Sequence, residues 1–552
     1  MRFALKIMRM KIHAQRTVLS RKYIVCFILG IGLSIVPTNF KLTNDLLDKS
    51  SIGLIEGLPS NGVIDIGISS DSLLFYGTGG GLGKSVTLDE QINFYTINSF
   101  NLPRGGNPAL YVKDSIVVVS GVVDTLAQDE YFSKGTGISI STDYGLTWQY
   151  FNQPIDPIPD DGLYLYSDWY SNSVKYLAVT VAINNVSYDV TVNGDYIYSA
   201  SWAGGIRRIQ FRNIPPVIDG VIKEWEVVPL PMDDSFQLFC DYPLSDYYIL
   251  NPNDPSNGGN HNHKGFAVES QNDSIIWVGT ANGVNKGIID DNNCISWTHY
   301  TSVTHNISGN WVIGFNIQKI QSANLPRIWA ITWSTNSAEN NGLSYTDNLG
   351  SSWKTSNMIE DLGLKVFNIS SKNEKVYIAT DKGLYFSLDG DYWEKLSRPI
   401  EFDNDGNIVE EILSEAVYSV AETSEFLWVG TGDGIGKTNN LGIDWSAYRF
   451  FEPPTNFYAY PNPFFVDINN RVNGDGHVRF ICNANVKPNK ILVYDYSMNL
   501  VVELNDFRTI DNENELIWNG RNSINMVVSN GVYFCNLIYN EGSFWTKLLV
   551  IN

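Results

Sequence analysis

Cysteine is scarce in this chain, which has five Cys among 552 residues. Cys26 lies in an apolar stretch near the N-terminus, and four cysteines follow it. A fold of this size cannot depend on so few cysteines, so a disulfide-dense scaffold is excluded. Long amphipathic patterns with helix caps are also hard to find in the sequence, which argues against a helical bundle.

Basic residues are outnumbered: 38 Lys and Arg stand against 59 Asp and Glu, giving a formal net charge of −21. Neutralising phosphates requires clustered cations, so this balance argues against a nucleic-acid partner and against an anionic membrane surface. An acidic surface also keeps a protein soluble, and this ordinary role is sufficient to explain the charge.

Aromatic residues are abundant, with 30 Tyr, 26 Phe and 15 Trp. Many of them lie in short apolar runs that end in Thr or Ser and are followed by a Gly turn and a closing Trp. Runs of four to six β-branched and aromatic residues between Gly, Asn and Asp predict strands joined by tight turns. The aligned Thr or Ser residues, called anchors below, are Thr78, Ser120, Ser201, Thr280, Thr332, Thr380 and Thr431.

The spacing of the anchors predicts an all-β fold with a β-propeller of seven blades, because a unit of roughly 40 to 50 residues with about four strands is the period of a blade. Two intervals between anchors are nearly double length. Their extra chain, residues 151–186 and 212–265, predicts long loops, and one of these insertions has room for an eighth blade.

The chain divides into four segments in sequence. Residues 1–38 combine a basic start with the apolar run Tyr23 to Val36, a signal-peptide pattern that leaves no membrane span in the mature form. An uncleaved anchor, which would make the protein a sensor ectodomain, is the alternative. The propeller is predicted over 48–450, a Pro-Pro linker over 451–456, and a separate β-rich module over 457–552.

The turn Ser141 to Trp148, SerThrAspTyrGlyLeuThrTrp, resembles the Asp-box of BNR-type propellers. In this motif Asp143 bonds backbone amides of the turn, Gly145 accepts a positive φ, and Trp148 packs between blades, so the motif predicts a structural turn that starts at Ser141. The runs LeuTrpValGlyThrGlyAspGly and IleTrpValGlyThrAlaAsnGly are similar to the repeat of two-component-regulator-type propellers. No kinase or DNA-binding segment accompanies them, so this resemblance implies fold only.

The C-terminal module contains TyrProAsnProPhe (460–464), ValTyrAspTyrSerMetAsnLeuVal (493–501), TrpAsnGlyArg (518–521) and SerAsnGlyValTyrPhe (529–534). These motifs resemble the FlgD-type immunoglobulin-like fold. The resemblance implies a β-sandwich that often serves as a C-terminal sorting domain of the bacterial type IX secretion system, whose machinery would then be a partner. Cys482 and Cys535 lie in two strand-like runs of this module and can form one disulfide.

Candidate ligand-binding residues follow the anchors, where loops from different blades converge around the propeller axis. Trp202 and Trp333 replace small residues there, and an exposed aromatic can stack on a sugar or hold a peptide. Filling a gap between blades is the structural alternative for both. Asp381, Asp433 and Arg207 complete the predicted ligand-binding set.

The sequence patterns for a catalytic or metal-binding site are weaker than those for a ligand-binding surface. Arginine is too sparse for a sialidase carboxylate site, and the F/Y-R-I-P motif of that family is missing; other propeller glycosidases need a carboxylate pair that no spacing picks out. Zinc was considered for His261, His263, His299, His305 and Cys294, and calcium for Asp403 to Asn407, where a hairpin turn is favoured instead. No catalytic residue, metal or cofactor is assigned.

These patterns predict a bacterial binding or scaffold protein without chemistry of its own, secreted or held at the cell surface. Its ligand would be a polysaccharide or a protein. A secreted glycoside hydrolase that uses the same axial face is the main alternative.

Overall fold

The computed structural model describes residues 53–88, 91–127, 129–159, 163–170, 172–212, 225–240, 242–335, 339–450, 457–483, 487–510 and 513–552. The expected signal segment and the linker 451–456 lie outside the described residues. Strands make up most of the described chain, which confirms the all-β propeller prediction. None of the helices in these ranges has the length and hydropathy that a membrane span requires.

Seven antiparallel sheets, called blades 1 to 7 in chain order, and two further two-stranded sheets lie in the described residues between 53 and 450. Blade 1 contains β1 (Gly53–Glu56), β2 (Val63–Ser70), β3 (Leu73–Thr78), β4 (Gly81–Leu88) and β5 (Gln91–Asn98). Blade 2 contains β6 (Leu110–Lys113), β7 (Ile116–Ala127), β8 (Glu130–Ser141) and β9 (Gln149–Phe151). A separate hairpin follows, formed by β10 (Tyr164–Trp169) and β11 (Asn172–Leu177). Blade 3 contains β12 (Ser187–Asn193), β13 (Tyr196–Ser201), β14 (Gly205–Gln210) and β15 (Glu226–Val228).

The second half of the propeller repeats this order. Blade 4 contains β16 (Gln237–Leu238), β17 (Gly265–Asn272), β18 (Ile275–Thr280), β19 (Gly283–Ile289) and β20 (Ile295–Tyr300), and it is followed by helix α1 (Ser302–His305). Blade 5 contains β21 (Trp311–Gln318), β22 (Arg327–Trp333), β23 (Gly342–Thr346) and β24 (Lys354–Thr355), and helix α2 (Asn357–Asp361) follows. Blade 6 contains β25 (Val366–Lys372), β26 (Lys375–Thr380), β27 (Gly383–Ser387) and β28 (Glu394–Lys395). A hairpin of β29 (Ile400–Phe402) and β30 (Ile408–Glu411) leads to blade 7, which contains β31 (Val417–Glu422), β32 (Leu427–Thr431), β33 (Ile435–Thr438) and β34 (Ser446–Tyr448).

The innermost strands of the seven blades form a closed ring. They are β2, β6, β12, β17, β21, β25 and β31, each in contact with the next, and β31 in contact with β2. In each blade the second strand is almost entirely buried up to its anchor, as in β26, where only the first residue is exposed, whereas β7 continues beyond its anchor into a more exposed half. This burial explains why the second strands read as continuous apolar runs that end at the anchors.

Aromatic pairs connect successive blades. Trp353 of blade 5 lies 6.1 Å from Trp277 of blade 4, and Trp393 of blade 6 lies 6.2 Å from Trp329 of blade 5, ring centre to ring centre. In each pair a Trp just before a fourth strand packs on an aromatic of the preceding blade's second strand. The closing Trp of the repeat therefore holds neighbouring blades together.

The ring closes between blades 7 and 1 by the same kind of contact. Phe94 of β5 lies 6.5 Å from Trp428 of β32, and it also contacts Tyr448 and Phe450. Asn61 Oδ1 accepts a hydrogen bond of 2.7 Å from the Phe450 amide. Within the described residues no blade contains strands from both ends of the propeller, so side-chain packing closes the ring.

The turn after β8 is held by hydrogen bonds from its own backbone amides to the side chains of Ser141 and Asp143. Asp143 Oδ1 accepts the amide of Thr147 at 2.8 Å, and Ser141 Oγ accepts the amide of Gly145 at 2.8 Å. Gly145 has φ 76°, and an added Cβ would lie 2.8 Å from Phe75. Trp148 is buried in a cluster that contains Phe75, so it packs between blades 1 and 2.

The long insertion between β15 and β17 is tied to blade 4 by a disulfide between Cys240 and Cys294, whose Cα atoms are 5.9 Å apart. It carries β16 and two 3-10 helices, Pro255–Asn257 and His261–His263. Cys482 and Cys535, which the sequence allows to form a disulfide, are both buried but are not bonded to each other, and Cys482 Sγ donates to the Asn514 carbonyl at 3.5 Å. Cys482 lies on a strand of one sheet of the C-terminal module and Cys535 on a strand of the other, whereas the bridge that does form joins two segments of the propeller.

Residues 457–552 form two sheets around one apolar core. The first sheet contains β35 (Phe457–Tyr460), β37 (Val478–Asn483), β40 (Arg508–Ile510) and β41 (Glu513–Trp518). The second contains β36 (Phe464–Phe465), β38 (Pro488–Tyr494), β39 (Leu500–Leu504), β42 (Gly531–Tyr539) and β43 (Gly542–Ile551). Alternate residues of both sheets point inward, among them Phe480, Trp518 and Leu537, so the module is a β-sandwich with its own core.

Candidate functional site: the axial mouth on the top face

One end of the propeller, called the top face here, collects the loops of all blades. The register of β31 with β32 pairs Val417 with Thr431, so the innermost strand begins where the second strand ends. The turns between second and third strands and the connections between blades therefore lie at this end. The chain between β9 and β12 and the chain between β15 and β17 each follow a fourth strand and start on this face as well.

The anchors shape the turns of the top face. Thr380 Oγ1 accepts a hydrogen bond from the Lys382 amide at 3.1 Å and donates one to the Gly383 carbonyl at 2.7 Å. Thr78, Thr280 and Thr431 make the same pair of bonds in their own turns. Gly383 has φ 125°, a backbone conformation that a side chain disfavours. The Thr-x-x-Gly repeat is therefore a turn that fixes the loop around the axis.

Trp202 and Trp333 each contact a lysine of the following blade. Lys264 Nζ lies 5.0 Å from the ring centre of Trp202, and Lys365 Nζ lies 3.8 Å from that of Trp333. Both lysines directly precede an innermost strand. Burial lowers the pKa of Lys264 to about 8, and it lowers the pKa of Lys365. Two equivalent cation–π contacts therefore join blade 3 to blade 4 and blade 5 to blade 6.

Trp202 belongs to a group of aromatic rings at the axis, called the aromatic arc here. Its ring centre lies 5.4 Å from Phe266 and 5.3 Å from Trp311, and Phe266 lies 5.1 Å from Trp311. Tyr188 extends the arc at 6.1 Å from Phe266. Tyr188, Trp202 and Trp311 remain partly exposed. The arc is an open aromatic surface beside the axis, bordered by the ammonium group of Lys264.

The opposite side of the axis has a smaller aromatic group. Phe367 lies 5.3 Å from Tyr418 and 6.0 Å from Trp333. Phe367 and Tyr418 are partly exposed, and each is the second residue of an innermost strand, like Tyr188 and Phe266. In each of these strands the pairing register shifts at this position or directly after it. Such a bulge re-aims side chains, here toward the axis.

Three carboxylic acids lie deeper along the innermost strands. Burial raises the pKa of Asp65 and of Asp189 to about 7 each, and burial with the nearby charge of Asp189 raises that of Glu269 to about 8. Asp189 accepts the amides of Val190 at 2.9 Å and Val268 at 2.8 Å. Two of the acids thus hold backbone amides of the next blade, since Asp65 does the same for Leu110.

Several residues predicted to bind a ligand are placed elsewhere. Trp333 is 4% exposed and its indole N–H donates to the Val366 carbonyl at 2.6 Å, so it fills the gap between blades and the prediction for it is corrected. Arg207 is buried and pairs with Asp156 at 2.8 Å, and it is likewise removed from the candidate site. Asp381 is partly exposed and accepts the Lys365 amide at 2.8 Å; its role in binding stays a prediction.

Asp433 requires the largest correction, because it lies in a buried ion network between propeller and sandwich. Neither Asp433 nor Arg479 is exposed, and their closest atoms are 2.6 Å apart. Arg479 also pairs with Glu515 at 2.5 Å, and Glu515 pairs with Arg449 at 3.1 Å. A side chain sealed in this way cannot reach a ligand at the axis.

The network continues at the hairpin of β29 and β30. Arg508 of the sandwich pairs with Glu411 at 2.5 Å, and Arg398 pairs with the same carboxylate at 3.0 Å. Arg449 pairs with Glu410 at 3.0 Å. Although burial acts in the opposite direction, the charges of the surrounding arginines hold the pKa of Glu515 at about 2. Four arginines and four carboxylates thus attach the sandwich to the top face at blade 7.

Of the four histidines named for zinc, His263 and His299 bond the backbone, and His261 and His305 face the side chains of Asp254 and Thr304. His263 Nδ1 accepts the Asn251 amide at 2.9 Å, and the two ring nitrogens of His299 face the carbonyls of Ser235 and Asn282 at 3.2 and 2.7 Å. Cys294 is in the disulfide. Among the described residues no group of three or more His, Cys, Asp or Glu is arranged to hold a metal ion. At Asp403 the chain forms a turn in which Asp403 Oδ1 accepts the Asn407 amide at 2.8 Å.

Sequence reasoning missed most of the aromatic arc. The sequence does contain a spacing that marks four rings of the two aromatic groups. Tyr188, Phe266, Phe367 and Tyr418 precede their anchors by 13 or 14 residues, at the start of their innermost strands. Trp311 is the first residue of β21, and Lys264 is the last residue of the insertion before β17. Neither follows this spacing.

No protein-family model and no curated protein matches the sequence. Solved structures with similarity include PorZ of Porphyromonas gingivalis, described as an essential surface component of the type IX secretion system, at 13% identity over 94% of this chain and 88% of that one, with a TM-score of 0.27. YCF48 bound to the D1 peptide matches at 12% identity over 73% and 99%, with a TM-score of 0.36. Virginiamycin B lyase from Staphylococcus aureus matches at 12% identity over 70% and 99%, with a TM-score of 0.35. At these scores the similarity adds nothing to what the chain's own geometry shows.

Proposed function

We propose that the protein is a non-catalytic binding or scaffold protein that holds an extended ligand, a glycan chain or a peptide segment, against the aromatic arc of its top face. The observation that carries the proposal is the group formed by the partly exposed Trp202 and Trp311 and the buried Phe266, beside Lys264. Aromatic faces suit sugar rings and apolar side chains, and a neighbouring ammonium group adds a hydrogen-bond donor.

The carboxylic acids near the axis support a binding role more than a catalytic one. Asp65 and Asp189 each accept two backbone amides, including one from the next blade, so they are engaged in holding the ring. Glycoside hydrolysis is the second candidate function. The raised pKa of Glu269, about 8, favours it because a general acid must be protonated near neutral pH.

The binding proposal is tested with Trp202→Ala. We expect this variant to lose retention on a panel of immobilised polysaccharides and peptides by about fivefold, since an aromatic contact contributes roughly 1 kcal/mol. Trp545→Ala is the matched control, because Trp545 is exposed on the sandwich, away from the axis. Equal retention of both variants would contradict the proposal, and release of reducing sugar by the native protein would replace it with the hydrolase.

We propose further that the chain is exported and that its C-terminal sandwich is an immunoglobulin-like sorting module. The Cys240–Cys294 disulfide supports an oxidising compartment, and the two-sheet core of residues 457–552 supports a module with its own fold. The test is the N-terminal sequence of the full chain produced in a bacterium with type IX secretion. We expect a surface or medium fraction whose sequence starts after about residue 38; an intact N-terminus in the membrane fraction would instead support the sensor ectodomain.

A further inference from the structure

A second pocket lies away from the axial mouth, on the rim between blades 3 and 4. Its volume is about 230 Å³. The tip of the β10–β11 hairpin, the outer strands of blade 3 and the turn between β19 and β20 enclose it. Its lining consists of Asp168, Trp169, Tyr170, Tyr196, Arg208, Glu226, Asn292, Asn293 and Cys294. This pocket is at the end of the propeller opposite the top face, because β13 begins at Tyr196 and ends at an anchor.

Arg208 is the central polar group of the pocket. It is 7% exposed, and its guanidinium group lies between the rings of Trp169 at 4.2 Å and Tyr196 at 4.5 Å. Nε donates to Glu226 at 2.8 Å, and Nη1 donates to the Asn293 carbonyl at 2.6 Å. Nη1 also donates to the Tyr198 hydroxyl at 3.4 Å, and the residue lines the cavity. A guanidinium group has five N–H donors, so Arg208 has donors beyond these three bonds for a ligand oxygen.

The pocket has one free aromatic face. Trp169 and Tyr196 are already covered by the guanidinium group, whereas Tyr170 is 55% exposed and stands at the tip of the hairpin with φ 57°. A positive φ is uncommon for a tyrosine and marks the tight turn that places Tyr170 at the hairpin tip. The exposed residues Asp168 and Asn292 add a carboxylate and an amide at the rim.

Charge and size restrict the ligand. Asp168 and Glu226 outnumber Arg208, which is already paired with Glu226, so an anionic ligand would meet net repulsion. The volume of about 230 Å³ is below the roughly 300 to 1,000 Å³ of pockets for drug-sized molecules, so it suits one small ring. One aromatic platform with carboxylate, amide and guanidinium groups around it matches a neutral sugar, whose faces carry C–H groups and whose edge carries hydroxyl groups.

We infer that this pocket between blades 3 and 4 is a binding subsite for one neutral monosaccharide unit, with Tyr170 as the stacking platform and Asp168, Arg208 and Asn292 as hydrogen-bonding groups. The subsite does not rest on the function proposed for the axial mouth, since the two lie at opposite ends of the propeller.

The inference is tested by saturation-transfer NMR on the full chain with methyl β-D-glucopyranoside, methyl β-D-galactopyranoside and N-acetylglucosamine. We expect ring-proton signals from at least one of these sugars, with Kd on the order of 1 mM. Tyr170→Ala is expected to weaken Kd about tenfold, and Asn292→Ala severalfold. Both residues are exposed, so thermal unfolding should match that of the native chain.

Tyr247→Ala is the matched control, because Tyr247 is 87% exposed and does not line the pocket. It is expected to bind like the native chain. Three results would each overturn the inference: no signal from any of the three sugars, equal signals in the native chain and Tyr170→Ala, or displacement of the bound sugar by sodium acetate, which would show an anion site instead.

Discussion

At the scale of single residues, one position of the repeat links neighbouring blades through a side-chain oxygen. Asp189 Oδ2 accepts the amide of Val268 in the next blade at 2.8 Å, and Asn368 Oδ1 accepts the amide of Val420 at 3.3 Å. Asp65 occupies the same position of blade 1. An amide fulfils this role without charge, whereas a buried carboxylate adds a cost when it ionises.

This cost makes the stability of the propeller depend on pH through Asp189. Burial raises its folded-state pKa to about 7 from 3.8, so between these pH values the folded chain binds more protons than the unfolded chain. The free energy of unfolding therefore falls as pH rises through this window, and the full loss is reached above it. Asp189→Asn retains one acceptor oxygen and has no charge to bury.

We expect Asp189→Asn to match the native chain at pH 5 and to exceed its free energy of unfolding by about 1 to 3 kcal/mol at pH 8. Urea unfolding followed by tryptophan fluorescence at both pH values measures the difference. Glu394→Gln, at an exposed carboxylate, is the control and should show no such change. A difference for Asp189→Asn that is the same at pH 5 and pH 8 would contradict the explanation.

At the scale of elements, the turn after each second strand explains the most regular part of the sequence. The anchor hydroxyl joins one amide and one carbonyl of the turn, and the glycine three residues later takes a positive φ. The anchor hydroxyl and the glycine recur in blades 1, 4, 6 and 7, so the turns were predictable from the sequence. The aromatic arc was not, because its rings follow register shifts whose side-chain direction a linear pattern does not show.

Thr380→Val tests the anchor, since valine has a similar shape but no hydroxyl. Thr380 is fully buried, so the variant leaves the Gly383 carbonyl and the Lys382 amide without this partner. We expect a loss of about 1 to 3 kcal/mol in the free energy of unfolding. Thr380→Ser keeps the hydroxyl and serves as the control, with a loss of roughly 1 kcal/mol for the deleted methyl group. If the valine variant is as stable as the serine variant, the hydroxyl does not hold the turn.

At the scale of the whole molecule, one set of contacts closes the ring and another attaches the sandwich, and neither set is repeated in the other blades. Trp428 and Phe94 close the ring, and Arg479 and Glu515 connect the sandwich to blade 7. The all-β fold, the repeats and a separate C-terminal module were predictable because strand patterns of apolar and turn residues recur along the sequence. Ring closure and docking were not, because a single arginine or glutamate in a strand has no periodic signal of its partner. Asp433 illustrates this, since its position in the repeat suggested a ligand and its partner lies 46 residues further along the chain.

Arg479→Met tests whether the ion network holds the sandwich on the propeller. The change leaves Asp433 and Glu515 buried without one of their cations, and losing one partner of a buried pair costs about 3 to 5 kcal/mol. Arg521→Met is the matched control. Arg521 pairs with Asp475 at 2.6 Å, but unlike the network residues these two side chains are exposed to 27% and 31%. An exposed pair contributes roughly 0 to 1 kcal/mol, so the control should remain near native stability.

Hydrogen exchange of full-length Arg479→Met, followed by mass spectrometry, measures the docking directly. We expect faster exchange in β30 and β37, which carry the network, while β26 and the other second strands of the propeller keep their protection. Adding Asp433→Asn to Arg479→Met removes one of the unpaired charges and should restore part of the protection, because the cost comes from the buried charge and not from lost packing. Native-like exchange at β30 and β37 in the single variant would show that apolar contacts, and not the arginines, fix the sandwich on the top face.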